Sequence, residues 1–251
     1  MREIIKNGWI RKGCVACTIS IKTVNRTDFN PVIKRMDWHL RHGGKALFLD
    51  FDRVLCDPDI ANATSVLMLL EEFGMKPKNM AVKRFIDECS GIAAKKILLD
   101  LVPALCKEPE LLDAMLARLA QIASRNVNLI KTTRISEDYL PGVRQRQGDV
   151  RIAVLTNRDK IAIHPALDQL GMRNIFDIVL YQSSIMPAKP APDMLKWGLK
   201  LTGALPSQAL LIDDNRECIN AAVTCGIPAK RLMWKIDGGR YSLRAMMGGR
   251  P

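Results

Sequence analysis

Short apolar runs alternate with amphipathic segments over most of this chain. The runs are rich in Ile, Val and Leu, which is typical of strands buried on both faces of a parallel sheet. They predict strands over 46–49, 151–156, 178–182, 210–213 and, more weakly, 230–234. Segments between and after them repeat apolar residues at a spacing of three to four, which predicts helices over 161–170, 193–201 and 217–225. The alternation predicts a parallel sheet wrapped by helices, with function at the carboxyl ends of the strands.

The middle of the chain has a helical pattern only. Its predicted helices are 60–73, 80–88, 93–101 and 109–123, separated by Gly74, Gly91 and Pro103. This stretch predicts a helical domain of about 80 residues inserted into the α/β domain.

Three parts of the chain are therefore expected. Residues 45–57 and 141–251 form an α/β core with a Rossmann-like parallel sheet. Residues 58–140 form a helical cap domain, and residues 1–44 form a basic extension, partly disordered or loosely packed on the core, because their periodicity is weak.

Charge and composition narrow the possible functions. The 251 residues carry a net charge of +12, and residues 1–44 hold nine Lys/Arg against three acidic residues, which is half of the excess. The remainder is only mildly basic and suits an enzyme for anionic small molecules. No apolar run reaches the roughly 18 residues of a membrane span, so no membrane partner is expected. The seven cysteines are scattered and suit free thiols, which favours a cytoplasmic protein.

The basic extension permits two other uses. Cys14-x-x-Cys17 and His39-x-x-His42 permit a zinc site, but their spacing differs from that of the usual zinc finger. The extension also permits a nucleic-acid arm, but no nucleic-acid partner is expected because no recognisable binding module is present.

Four segments carry groups suited to chemistry on a phosphate. Three of them lie at the ends of predicted strands, and the fourth lies between a strand and the following helix. A carboxylate nucleophile needs an acid/base partner, donors for the phosphoryl oxygens and a cation against charge repulsion. The four segments supply Asp50 and Asp52, Thr156 and Asn157, Lys189, and Asp213 and Asp214. Taken alone, each has an ordinary structural explanation, such as a helix cap, a solvated lysine or a turn.

The four segments in this order resemble the haloacid dehalogenase superfamily, in the branch with a helical cap between the first and second motifs. That branch includes phosphoglycolate phosphatases and β-phosphoglucomutases. The first motif is Asp50-Phe51-Asp52-Arg53-Val54-Leu55, and the resemblance covers about residues 45–235.

The resemblance implies a role for each of these residues. Asp50 is the nucleophile that forms an aspartyl-phosphate, and Asp52 is the general acid and base. Thr156, Asn157 and Lys189 bind the phosphoryl group. Magnesium is held by Asp50, the backbone carbonyl of Asp52 and Asp214, with Asp213 as an indirect or water-mediated partner. The expected function is a magnesium-dependent phosphatase for a small phosphorylated metabolite.

Two positions depart from the family pattern. Arg53 stands where a glycine is common, and it either adds a cation near the substrate or crowds the turn. Cys218 stands where an Asn or Asp often orients the metal site. These departures keep two alternatives open: a phosphomutase, and a catalytically weak regulatory or nucleic-acid-binding homologue. The substrate and the oligomeric state are not predicted.

Overall fold

Seven strands and eight α-helices are present in a computed structural model that describes residues 27–74, 94–146 and 149–233. The strands are β1 (Ala46–Leu49), β2 (Cys56–Asp57), β3 (Lys131–Thr132), β4 (Arg151–Thr156), β5 (Ile178–Tyr181), β6 (Ala209–Asp213) and β7 (Ala229–Arg231). The helices are α1 (Asn30–Arg41), α2 (Asp59–Glu72), α3 (Ala94–Leu101), α4 (Pro109–Arg125), α5 (Leu140–Arg146), α6 (Lys160–Gln169), α7 (Asp193–Thr202) and α8 (Arg216–Thr224). The predicted helix 80–88 lies outside the described residues.

A five-stranded parallel sheet, in the order β5-β4-β1-β6-β7, forms the core. β1 is the central strand: Ala46 pairs with Arg151 of β4 on one side and with Ala209 of β6 on the other. Every side chain of β1 and β6 is buried, which explains why these strands consist of continuous apolar runs. The predicted fold class, an α/β protein with a Rossmann-like parallel sheet, is confirmed.

The end of the predicted N-terminal extension is part of the packed core. Residues 30–41 form α1, and its Val32 and Met36 side chains are buried against the sheet. His39 is buried as well, and its Nε2 atom lies 3.0 Å from the carbonyl oxygen of Gln208, just before β6. A Cβ atom at Gly44 would lie 2.3 Å from His39 Cδ2. Only glycine therefore fits at this position beside the His39 ring. The expectation of a partly disordered or loosely packed segment does not hold for residues 30–41, because Val32, Met36 and His39 pack this helix on the core.

The helices between β1 and β4 build a second apolar cluster. Buried side chains of α2, α3 and α4 pack on one another, as the spacing of their apolar residues predicts. The chain leaves and re-enters the core through β2 and β3, which pair antiparallel. These two strands have two residues each and are too short to produce a periodic pattern.

The return to the core begins before the boundary predicted at residue 140. Val127, Ile130, Ile135 and Tyr139 pack with the sheet rather than with the helical cluster. Pro141 and Gly142, at the predicted boundary, lie in the first turn of α5. A π-helical turn over Ile135–Tyr139 directly precedes α5, so the missing N–H of Pro141 falls where the helical hydrogen bonding is already irregular. A cap domain over 58–140 stays a prediction, and packing favours an earlier return.

Within the described ranges, no helix combines the length and apolar character needed to cross a membrane. The cysteines of the same ranges, Cys56, Cys106, Cys218 and Cys225, are free thiols.

Candidate active site

The predicted site residues meet at the carboxyl ends of β4, β1 and β6. Asp50 directly follows β1, Thr156 is the last residue of β4 and Asp213 is the last residue of β6. These three strands are adjacent and parallel, so their ends share one edge of the sheet. All three side chains are buried, which brings two carboxylates and a hydroxyl out of bulk water.

Lys189 lies between the two buried carboxylates. Its Nζ atom is 2.8 Å from Asp50 Oδ1 and 2.7 Å from Asp213 Oδ2. Burial alone lowers the pKa of Lys189, but the charges of Asp50 and Asp213 outweigh it and raise the pKa above the ordinary lysine value. Burial raises the pKa of Asp50 well above its ordinary range, against the opposing charge of Lys189. The backbone N–H of Phe51 also donates to Asp50 Oδ1, at 2.8 Å. The ammonium group is thus the main counter-charge of the two carboxylates.

Asn157 fixes the backbone that carries this lysine. Its Nδ2 donates to the carbonyl oxygen of Lys189 at 3.1 Å, and its Oδ1 accepts the Lys189 N–H at 2.7 Å. The Thr156 hydroxyl oxygen accepts the N–H of Arg158 at 3.1 Å. Asn157 therefore positions Lys189, and the predicted phosphoryl contacts of Thr156 and Asn157 stay predictions.

Three carboxylates are arranged so that they are able to share a cation. One oxygen each of Asp50, Asp213 and Asp214 lies within 4.8 Å of the others. Burial and the charge of Asp213 raise the pKa of Asp214, against the opposing charge of Arg53. Carboxylate oxygens are the ligands that a hard divalent cation such as Mg²⁺ prefers. These three carboxylates therefore fit the predicted Mg²⁺. A bound cation would also offset the repulsion among their negative charges.

Arg53 joins this cluster to the start of the helical region. Its φ angle is 64°, in the left-handed region where glycine is favoured. Its Nε and Nη2 atoms lie 3.2–3.3 Å from the carboxylate of Asp59, the first residue of α2, and Nη1 lies 3.5 Å from Asp214 Oδ2. Arg53 thus adds a cation beside the carboxylates, and its left-handed φ strains the turn.

Arg158 is a site residue that the sequence patterns did not single out. Its Nε atom is 3.1 Å and 2.9 Å from the two oxygens of Asp52, and its Nη2 atom is 2.7 Å from Asp52 Oδ1. The guanidinium also lies over the Phe51 ring, 5.3 Å from its centroid. Its position immediately after Thr156-Asn157 was the available signal, but basic residues after strands are common.

Cys218, on α8, also lies beside the cluster. Burial and the charge of Asp213 raise the pKa of its thiol to about 12, so the thiol stays protonated at neutral pH. It is a neutral neighbour of Asp213 at the position where the resemblance leads us to expect an Asn or Asp.

The alternative zinc site is not assembled among the described residues. His39 contacts the Gln208 carbonyl, and His42 Nδ1 lies 2.7 Å from the Trp38 carbonyl oxygen. Cys14 and Cys17 lie outside the described residues.

Comparison with known proteins supports the resemblance drawn from the four sequence motifs. A family model described as haloacid dehalogenase-like hydrolase matches residues 47–230. A phosphoglycolate phosphatase of Pseudomonas putida is 25% identical over 199 residues, which cover 78% of this chain and 72% of that protein. A phosphoglycolate phosphatase of Pseudomonas savastanoi pv. phaseolicola is 30% identical over 106 residues, covering 40% of this chain and 39% of that protein.

Solved structures are similar in fold. A predicted phosphoglycolate phosphatase from Haemophilus somnus 129pt has a TM-score of 0.66 at 18% identity, covering 81% of this chain and 91% of that one. A HAD-superfamily hydrolase of subfamily IA from Geobacter sulfurreducens PCA has a TM-score of 0.60 at 22% identity, covering 74% and 86%.

Proposed function

Because this chain belongs to the haloacid dehalogenase-like hydrolase family, we propose that it is a magnesium-dependent phosphatase that acts through an aspartyl-phosphate on Asp50. The substrate is a small phosphorylated metabolite. The observation that carries the proposal is the position of Lys189, whose ammonium group contacts Asp50 and Asp213 at the ends of β1 and β6. The relatives named phosphoglycolate phosphatases support phosphate monoesters as substrates.

In the first half of the reaction, a carboxylate oxygen of Asp50 attacks phosphorus and the ester P–O bond breaks. The protonated carboxyl group of Asp52 gives its proton to the leaving oxygen, so an alcohol departs. The Thr156 hydroxyl and the Lys189 ammonium stabilise the charge that develops on the transferring phosphoryl group.

In the second half, water attacks the phosphorus of the aspartyl-phosphate. Asp52, now a carboxylate, takes a proton from that water, and the P–O bond to Asp50 breaks. Inorganic phosphate leaves, Asp50 is again a carboxylate and Asp52 again carries its proton. A phosphomutase would instead return the phosphoryl group to a sugar hydroxyl.

The site needs more positive charge than Lys189 provides. Asp50, Asp213 and Asp214 present three carboxylates to an anionic substrate, and like charges repel strongly where water is excluded. We assign Mg²⁺ binding to Asp50, Asp214 and the backbone carbonyl of Asp52, with Asp213 as an indirect partner. When bound, the ion offsets this repulsion and polarises the phosphoryl group.

We also propose that the helical part of the predicted segment 58–140, up to about residue 126, acts as a cap over the site. The Arg53–Asp59 ion pair supports this, because it connects the turn after β1 to the first residue of α2. Closure of a cap would exclude bulk water during the reaction.

A panel of phosphate monoesters, assayed with and without Mg²⁺, tests the proposal. Purified protein should release free phosphate from at least one ester in the presence of Mg²⁺ and lose this activity in a chelator. Asp50→Asn should lower turnover at least about a thousandfold, because the nucleophile is removed, while its circular dichroism stays native.

Other outcomes would contradict specific parts of the proposal. Full activity of Asp50→Asn would exclude the aspartyl-phosphate. Phosphate transfer to a sugar without stoichiometric free phosphate would favour the mutase. Absence of turnover on every ester would favour a non-catalytic homologue.

A further inference from the structure

A cleft between α1 and α5 lies apart from the candidate active site. It has a volume of about 310 Å³ and is lined by Asp37, Leu40, Arg41, Val143 and Arg146. We call it the α1–α5 cleft. Its two arginines are the last residues of the two helices, which lead into β1 and β4 at the amino ends of these strands. The candidate active site lies at the carboxyl ends of the same strands, so the two sites are at opposite edges of the sheet.

Hydrogen bonds of both helices support this location. Arg144 Nη1, on α5, donates to the carbonyl oxygen of Val150, the residue before β4, at 3.0 Å. On α1, His39 Nε2 lies 3.0 Å from the carbonyl oxygen of Gln208, the residue before β6. The last turns of α1 and α5 therefore pack beside the amino ends of the strands, away from Asp50.

The two arginines of the cleft have no carboxylate partner. Within the part of the chain that the structure describes, neither Arg41 nor Arg146 forms an ion pair. Both side chains are exposed, so a ligand is able to reach them. Arg144, by contrast, pairs with Asp177 and donates to two carbonyl oxygens. The helix α5 thus carries one arginine that holds the fold together and one whose charge is uncompensated.

The carboxylate of the cleft, Asp37, is held by a tyrosine rather than by an arginine. Its Oδ1 accepts the Tyr139 hydroxyl at 2.9 Å. Burial and this hydrogen bond raise the pKa of Tyr139, while the positive charges of Arg146 and Arg41 oppose the rise. Both guanidinium groups therefore act on one hydroxyl and lie near the same end of the cleft. A Cβ atom at Gly142 would lie 3.3 Å from Arg146 Nη1, so this guanidinium lies along α5.

Leu40 and Val143 add apolar surface to the lining of the cleft. Both belong to the apolar core, Val143 as a buried residue and Leu40 as a partly buried one. Two guanidinium groups are suited to hold a phosphate or carboxylate through several charge-assisted hydrogen bonds. The volume lies at the lower end of the range for small-molecule sites, which begins at about 300 Å³. The lining therefore suits a small molecule with an oxyanion and an apolar part.

We propose that the α1–α5 cleft is a second ligand site, which binds a small organic phosphate or carboxylate. Arg41 and Arg146 hold the oxyanion, and Leu40 and Val143 contact the apolar part of the molecule. An inorganic anion would leave this apolar surface without a partner, and a nucleic-acid strand is much larger than the cleft. The site is independent of the proposed phosphatase function, because it shares no residue with the active site.

Calorimetry with phenylphosphonate, benzoate and benzyl alcohol, on the full chain in a chelator, tests this proposal. The three probes share an aromatic ring, and only the first two carry an oxyanion. The P–C bond of phenylphosphonate is not the ester bond that a phosphatase cleaves. At least one anion should bind with a Kd at least about tenfold below that of benzyl alcohol, and the tighter of the two identifies the preferred oxyanion. Absence of binding by both anions, or equally tight binding of benzyl alcohol, would overturn the proposal.

Arg41→Gln and Arg146→Gln should each weaken binding of the preferred anion about tenfold or more. Arg125→Gln is the matched control, because Arg125 is also the exposed last residue of a helix, α4, and it should keep the full affinity. Unchanged affinity in either cleft variant, or an equal loss in all three variants, would refute the site. If a glutamine variant does not fold by circular dichroism, the lysine variant replaces it. Lysine keeps the charge without the planar fork, so binding should still weaken, and unchanged binding would also count against the site.

Arg158→Gln separates the cleft from the active site. It removes the guanidinium that pairs with Asp52 and should leave the affinity for the probe unchanged. An affinity that is lowered by Arg158→Gln and kept by the cleft variants would place the probe in the active site and overturn the proposal. None of these measurements depends on turnover. Failure on every phosphate ester would therefore refute the proposed function alone, and failure of these binding experiments would refute the cleft alone.

Discussion

Replacing Lys189 by methionine should destabilise the protein strongly at neutral pH. The variant keeps the length of the side chain but leaves the buried carboxylates of Asp50 and Asp213 without the ammonium group that contacts both. Removal of one partner from a buried ion pair typically costs about 3–5 kcal/mol, because the remaining charge is left uncompensated. For a domain whose free energy of unfolding is about 5–15 kcal/mol, this is a large fraction.

The loss of stability in Lys189→Met should depend on pH, and the raised pKa of Asp50 sets the direction. Burial raises the pKa of Asp50 well above its ordinary range, and the charge of Lys189 opposes that rise, so the variant should have a still higher value. Between the unfolded pKa of about 4 and this raised value, the folded variant binds a proton that the unfolded chain lacks. Its stability therefore falls as the pH rises through this window. The deficit should be largest at pH 7 and above and should shrink as the pH falls toward 5.

Urea denaturation monitored by circular dichroism measures this loss of stability. It is carried out at several pH values, with and without Mg²⁺. Magnesium should recover part of it, because a cation at the same carboxylates replaces the lost charge. Lys196→Met is the control, since Lys196 is exposed on α7, and it should change stability by less than about 0.5 kcal/mol. A folded Lys189→Met protein at least as stable as the unmodified one at pH 7 would refute the reasoning.

Two further predictions concern other parts of the fold. Arg53→Gly should bind Mg²⁺ about three- to tenfold more tightly in calorimetry, because the guanidinium 3.5 Å from Asp214 is gone; weaker binding would contradict this. Met36→Ala should lower the free energy of unfolding by about 2–5 kcal/mol, because Met36 of α1 is fully buried. A change below about 1 kcal/mol would mean that α1 contributes little to the core.

The sheet and its flanking helices were predictable because their physical signal is local. A parallel strand covered on both faces needs a run of apolar residues, and β4 was predicted with its observed bounds, Arg151–Thr156. The helices α6, α7 and α8 begin and end within one residue of their predicted limits. The β2–β3 pair was missed because two residues cannot show a period. The helix α1 was missed because it was grouped with the basic extension, although Val32 and Met36 follow helical spacing.

The meeting of the candidate residues at one edge of the sheet was predictable, and their contacts were not. The sequence order places Asp50, Thr156 and Asp213 at strand ends, and parallel pairing then brings them to one edge. Which basic side chain turns toward which carboxylate depends on tertiary geometry. The pairing of Arg158 with Asp52 across 106 residues is such a case, and nothing in the local pattern indicates it.

The central position of β1 in the sheet has a consequence for how the protein reaches its active form. The partners of β1 lie about a hundred and about a hundred and sixty residues later in the chain. Contacts of such long sequence separation form late and slowly during folding. Asp50 meets Lys189 and Asp213 only after both pairings are made, so an incompletely folded chain has the strand that precedes Asp50 but no assembled site. Recovery of catalytic activity during refolding is therefore a kinetic marker of the last parallel pairing rather than of early helix formation.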